Sequence, residues 1–484
     1  MSKPNIVLIV LDTCRWDTFD KAVKEGKLKN IGNLKGDSFY FNNAVAPSPW
    51  TTPSHVSLFT GLYPSEHGVH ESETLKQSSI IMKEILKFNG KTLAEQFRDN
   101  GYHTYGFVAN PNLAPGTGFE RGFDYFQYSD TFEHVFELWE NLREEIATKF
   151  PNIKDDIINL ANNFDIPELK NFLKQGKNFF ALPWLLMKYR VFVNSVKESK
   201  YPFEKGGKNI ASDVRNSFFR EPFFLFINFM EMHDPYILEK GEIFSGEGKR
   251  MLKFLAGYEN IKGSRLSEYR DVYLNELILL DRYIGVIVNK LKSERYYDNS
   301  IIVVTSDHGQ SFGENHFYGH GVLLTDTLVR IPLIVKLPNQ RKIEIADGYQ
   351  SLVNVNNFLI RCSQGLIEPE VLSSDVVYSE KFAIQEDFRS MFRLESDIVN
   401  KLEKFECRQL AVYYSGKKFL VNVSNNEIEI MSKPETIESL SKDEKIRMEE
   451  LVSNFLGHRF SSTIKKWRGY DYEEGQDSTC DKLS

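Results

Sequence analysis

Uninterrupted apolar runs recur through the first two thirds of the chain. Asn5–Leu11 reads N-I-V-L-I-V-L, Phe223–Met230 is broken only by Asn228, Ile301–Val304 is wholly aliphatic, and 331–336 repeats the pattern. Short runs rich in β-branched residues, Leu and Phe, without polar alternation, predict strands buried on both faces, as in a parallel sheet. Gly101–Val108 predicts a further strand. Between them the apolar period changes to that of a helix: Ile85, Leu86, Leu93 and Phe97 within 83–99, and Leu277, Leu280, Ile284, Ile287 and Leu291 within 264–292. This alternation predicts an α/β fold with a large mixed, mostly parallel sheet flanked by helices. Residues 130–220 are charged, aromatic-rich and helical in period. They read as an insertion that packs on the sheet or covers a site, and the basic amphipathic stretch Ala181–Arg190 offers peripheral membrane contact as the alternative. Beyond about 340 the pattern weakens. Two β-rich runs around Ser415-Gly416 within 408–431 predict a small antiparallel sheet, 442–456 a charged helix, and 471–484 a polar tail.

Several of these runs end in groups that carry chemistry. Asp12 follows the first strand, His233 follows Phe223–Met230, and Asp307-His308-Gly309 follows the strand at 301–306. In open α/β sheets ligands bind beyond the C-terminal strand ends. Carboxylates and an imidazole there suit Zn or Mn, and less decisively Mg or Ca. Between these strands in sequence lies S-P-W-T-T-P-S-H-V-S-L-F, with Thr51, Thr52, Ser54 and His55 ahead of an apolar run. Small polar residues before such a run mark a helix N-terminus, where hydroxyls cap the helix and backbone N–H groups meet an anion. Capping alone explains one such turn. Two strands ending in aspartate around it turn it into a candidate metal and anion site.

With these motifs in place the chain resembles the sulfatase-like branch of the alkaline phosphatase superfamily. The family pattern C/S-x-P-S-R, leading into a helix that ends T-G, is matched by Thr51-Thr52-Pro53-Ser54-His55 and Thr60-Gly61. The resemblance extends through Leu62-Tyr63-Pro64, Gly101-Tyr102-His103-Thr104, Met232-His233-Asp234-Pro235-Tyr236, S-D-H-G-x-x-F-G-E with Y-G-H-G, and Arg330–Val335. It covers about the first 340 residues in family order. It implies one divalent ion held by Asp12, Thr51, Asp307 and His308, with Thr51 at the nucleophile position. His233 and His320 would serve the phosphoryl oxygens or the leaving group.

Two departures from the family pattern bear on activity. Sulfatases use a formylglycine made from Cys or Ser. Oxidising Thr51 would give a ketone, so the aldehyde hydrate is not available and Thr51 acts as an alkoxide. The resemblance to enzymes with Thr here implies a phosphoester hydrolase or phospho-group transferase. His55 replaces the arginine that accompanies the modified residue, the lysine expected after Gly106 is absent, Thr13 replaces a second aspartate, and His320 stands near where sulfatases place a lysine. A second ion, as in alkaline phosphatase, would draw on Glu314, His316 and His320, because Phe229 stands where the Asp of an Asp-x-x-x-His pair would be.

Composition narrows the classes. The 484 residues, 41% hydrophobic, suffice for one large domain, 1–340, followed by a C-terminal portion, 341–470. A net charge of −7 offers no basic footprint for nucleic acid. Four scattered cysteines, no run near the roughly 18 apolar residues needed to span a bilayer, and no secretory signal pattern predict a soluble cytoplasmic protein. Three readings remain: a metal-dependent phosphoester hydrolase or transferase, a sulfuric ester hydrolase, and a non-catalytic binding protein on a decayed enzyme fold.

Overall fold

The computed structural model describes residues 3–70, 90–131, 204–237, 243–244, 253–258, 263–383, 396–402, 405, 407–423, 428–457 and 464–469. Most of the insertion expected at 130–220, including 181–190, lies outside these residues, as do the first part of the helix expected at 83–99 and the tail 471–484.

Eight strands form the main sheet: β1 (Asn5–Leu11), β2 (Phe39–Phe41), β3 (His103–Val108), β4 (Tyr125–Tyr128), β5 (Phe223–Phe229), β6 (Ser300–Thr305), β7 (Leu333–Lys336) and β8 (Glu344–Ala346). Their order is β8-β2-β7-β6-β1-β5-β3-β4. Central β1 is parallel to both β5 and β6, with Ile6 opposite Phe224 on one side and Ile301 on the other. β7 runs antiparallel to β6 and β2, which makes the sheet mixed, as expected.

Every residue of β1, β5 and β6 is buried, because successive side chains enter opposite layers. Val7, Ile9 and Leu11 join the cluster of Leu277, Leu280 and Ile284 on the long helix Gly263–Ser293. Ile6, Leu8 and Val10 join Leu58, Phe59 and Phe358 on helices Thr51–Thr60 and Leu352–Ser363. Each such side chain contributes about 1.5–3 kcal/mol by leaving water. Among the described residues no helix is long and apolar enough to cross a membrane.

The main layer runs past the boundary expected at 340. β8 pairs with β2, and Asn356 Nδ2 on helix Leu352–Ser363 donates to Leu58 O at 2.7 Å. The second sheet begins at β9 (Val376–Lys381) and continues through β10 (Arg408–Tyr414), β11 (Lys417–Val423), β12 (Ile428–Ser432) and β13 (Ile464–Gly469). Its first three pairings are antiparallel and the last is parallel. Ser415 and Gly416 join β10 to β11 with φ of 51° and 74°, the positive pair that a tight two-residue hairpin turn requires. Helix Lys442–Leu456, capped by Ser441 and Glu444, covers this sheet with Met448, Val452 and Leu456.

The Gly-aromatic loop at 116–126 turns its rings to the core. Phe119, Phe123 and Phe126 pack into the apolar cluster around Phe59 and Phe226.

Candidate active site

The pairing of Val10 with Thr305 sets Asp12 beside Asp307 as β1 and β6 end. Thr13, held at φ 59°, donates its N–H to Asp307 Oδ1 at 3.1 Å, and His308 N donates to the same oxygen at 2.9 Å. Asp307 Oδ2 is left without a hydrogen bond, 3.5 Å from His308 Nε2 and 3.5 Å from His55 Nδ1. Asp12 shows the same asymmetry. Its Oδ2 accepts from Asn110 Nδ2 at 2.6 Å, and its Oδ1 has no hydrogen-bond partner. Ligand atoms of Asp12, Asp307 and His308 lie within 4.8 Å of one another, all buried.

Buried polar atoms are rarely left unpaired, and two buried carboxylates repel. Burial, and then the charge of Asp307, pushes the Asp12 carboxyl up to about 8. A divalent cation between the two open oxygens answers both problems, so the residues fit the metal. His308 donates Nδ1–H to Gly309 O at 2.8 Å, which turns its Nε2 lone pair toward the same place.

This predicts a pH dependence for chelator-treated protein. A folded carboxyl raised from 3.8 to about 8 contributes stability below the lower value that is lost as pH rises through the upper one. The metal competes with that proton, so the rise in Tm on adding Mn or Zn should grow from pH 5 to pH 9. A metal-induced shift that ignores pH would contradict the placement of Asp12.

Thr51 is the first residue of helix Thr51–Thr60, and its Oγ1 lies 3.2 Å from His308 Nε2. The capping expectation does not hold, since the cap residue is Trp50 and makes no side-chain cap bond. Ser54 Oγ is committed to Ser48 O at 2.9 Å, and Thr52 is buried in the same turn. His55, one turn in, donates Nδ1–H to Thr51 O at 3.1 Å, and burial lowers its pKa.

His233 and His320 stand together, ring centroids 4.9 Å apart, with His320 4.7 Å from His308. Glu314 and His316 do not join them. Burial raises the Glu314 carboxyl, but Arg15 at 2.9 Å and the Phe312 N–H outweigh it and hold the group at about 2. Arg270 binds it as well, at 3.0 Å. The alternative second-ion set of Glu314, His316 and His320 is therefore not assembled among the described residues, and His320 groups with His233 and Asp234 instead.

Asn110, Gln310 and Tyr273 were not singled out from the sequence. Asn110 follows β3 at the strand-end edge that identified Asp12. Gln310 Oε1 accepts from His320 Nδ1 at 2.8 Å. Tyr273 OH donates to Thr13 O at 2.6 Å and accepts from Arg15 N at 2.8 Å, which clamps the turn after Asp12. No motif marks a tyrosine in mid-helix.

Gly309 is required by space. A Cβ there would sit 2.1 Å from Thr327 O, and Gly309 N donates to Leu328 O at 2.7 Å. Gly309→Ala should displace the Asp307–His308 loop at a cost of about 1–3 kcal/mol, read as a lower Tm together with weaker metal binding. An unchanged Tm would show that the loop can yield.

The fold, with carboxylates and histidines gathered at the strand ends, is that of a sulfatase-like hydrolase of the alkaline phosphatase superfamily. The sulfatase family model matches residues 4–364, which include every site residue named above, and the chain belongs to the sulfatase family. Among curated relatives, an uncharacterized sulfatase of Escherichia coli is 21% identical over 79% of this chain and 72% of its own. A multifunctional alkaline phosphatase superfamily protein of Trinickia caryophylli is 21% identical over 73% of each chain. In fold, the phosphonate monoester hydrolase of Agrobacterium radiobacter aligns over 94% of this chain and 95% of its own with a TM-score of 0.57, at 15% identity.

Proposed function

We propose that the protein is a phosphoester hydrolase or phospho-group transferase that works through a covalent phosphothreonine at Thr51. The observation that carries this reading is the Thr51 hydroxyl, 3.2 Å from His308 Nε2 at a helix N-terminus beside the Asp12–Asp307 pair. Asp12, Asp307 and His308 would hold a divalent ion, which when bound lowers the pKa of a coordinated hydroxyl and polarises a phosphoryl oxygen.

Thr51 gives up its hydroxyl proton to solvent and attacks phosphorus. The Oγ1–P bond forms as the bond to the leaving alcohol breaks. Water or an acceptor alcohol then attacks the phosphothreonine, loses a proton and releases Thr51. The first backbone N–H groups of helix Thr51–Thr60 are available to the phosphoryl oxygens. His233 and His320 serve those oxygens and the leaving group.

The sulfatase family match favours sulfuric ester hydrolysis as a second reading. Thr51 opposes it, since a threonine cannot supply the aldehyde hydrate. A panel of aryl phosphate mono- and diesters and an aryl sulfate, run with metal-loaded protein, separates the two. Turnover of phosphate esters with phosphate trapped on Thr51 supports the proposal. Sulfate release lost in Thr51→Ala establishes the second reading, and no turnover of any ester returns the chain to a binding role. Buried free thiols at Cys14 and Cys362 support a reducing, cytoplasmic location.

A further inference from the structure

One polar residue interrupts the apolar run of β5. Asn228 is fully buried there, between Val10 of β1 and Val108 of β3. Those valines stand two residues short of Asp12 and Asn110, at the ends of their strands. Alternation puts the Asn228 side chain on the face of Phe224 and Phe226, which meets helix Thr51–Thr60. A buried amide costs free energy unless it is bonded, and this one is bonded on both sides.

The bonds form a chain whose polarity is fixed link by link. Asp12 Oδ2 accepts from Asn110 Nδ2 at 2.6 Å, and Asn110 Oδ1 accepts from Asn112 N at 2.8 Å. Asn110 N donates to Asn228 Oδ1 at 3.2 Å, which turns Asn228 Nδ2 to His55 Nε2, 3.5 Å away. A ring nitrogen facing an N–H must accept, so the His55 proton sits on Nδ1 and is donated to Thr51 O at 3.1 Å. Burial, which lowers the His55 pKa, keeps the ring in that neutral form. An arginine at this position, the residue of the family pattern, offers donors only and could not take the Asn228 bond.

We infer that Asn228 and His55 are positioning residues for the Thr51 reaction. Through Asn110 they tie the main chain of Thr51 to the carboxylate of Asp12, and so set the attacking oxygen against the ion that Asp12 would hold. They act through Thr51 and Asp12 and not on the ester itself. The inference rests on the proposed function and deepens it. Without the chain the first turn of helix Thr51–Thr60 is free to shift against the strand ends, and a displacement of about 1 Å at a reacting atom costs about a hundredfold in rate.

The test uses the full chain with Asn228→Leu, His55→Phe and the double variant, loaded with Mn, on the best phosphate ester. Each single variant should bind as much metal as wild type and lose about a hundredfold in kcat with KM little changed. The double variant should lose no more than the worse single one, because all three break one chain. In chelator-stripped wild type carrying isotope-labelled histidine, nitrogen NMR should show His55 neutral with its proton on Nδ1, and the Nε2 signal should move downfield in Asn228→Leu. That readout needs neither metal nor turnover. A kcat within a few-fold of wild type in both single variants, losses that multiply in the double variant, or a His55 proton on Nε2 would overturn the inference and leave the proposed function standing. No turnover of any ester by wild type would sink the proposed function and the positioning role with it.

Discussion

Thr51→Ala is expected to lose a thousandfold or more in kcat/KM on the best phosphate ester while keeping its metal and its fold. Removing a metal-activated nucleophile by that factor corresponds to about 4 kcal/mol of barrier. The structural loss is far smaller. The Thr51 hydroxyl caps nothing, since the cap residue is Trp50, and even a capping hydroxyl contributes only about 1 kcal/mol. Thr52→Ala and Ser54→Ala should act on Tm before they act on turnover, because Ser54 Oγ bonds the Ser48 carbonyl. Trapping with a slow diester, digestion and mass spectrometry should place the added phosphoryl group on Thr51. Near-normal turnover by Thr51→Ala, or a label on Thr52 or Ser54, would move the nucleophile elsewhere.

Asp307→Asn should abolish tight metal binding together with activity, with an effect of the same order. Its Oδ1 is held by Thr13 N and His308 N, so the open oxygen is the one the ion needs. The variant also removes a buried negative charge beside Asp12, the second cause of that carboxyl's raised pKa. Chelator-treated Asp307→Asn should therefore melt at or above chelator-treated wild type, most clearly above pH 8, where the raised Asp12 carboxyl would be ionised. Full metal retention would remove Asp307 from the ligand set. A large drop in the metal-free Tm would mean that the carboxylate is needed for folding and not only for the ion.

The strands that carry Asp12 and Asp307 were legible because burial on both faces leaves an unbroken apolar run, and a polar residue just past its end has few places to go. The β10–β11 turn was legible because Ser-Gly between β-rich runs is a local signal. The partners that aim the ligands were not. Asn110 reaches Asp12, and Tyr273 reaches Thr13, only through strand order and helix packing, which no window of sequence contains. The loop at 116–126 is illegible for a related reason. Glycines and aromatic rings read alike whether the rings face a ligand or the core, and here Phe119 and Phe123 meet Phe59. Glu314 read as a candidate ligand until the fold brought Arg15 and Arg270 to it.

The position of β1 at the centre of the sheet also shapes how the chain is made. Both of its neighbours, β5 and β6, are synthesised more than two hundred residues after it, and the helix that meets helix Thr51–Thr60 through Asn356 comes later still. Contacts so distant in sequence close slowly, and an apolar strand without partners invites aggregation until they do. A nascent chain halted before about residue 305 would carry Thr51 without the Asp307–His308 pair, and one halted before 352 would lack a wall of the layer behind it. An ion held by Asp12, Asp307 and His308 would thus be captured only near the end of translation of this region, which would make metal uptake a late checkpoint on a finished fold and not a nucleus for it.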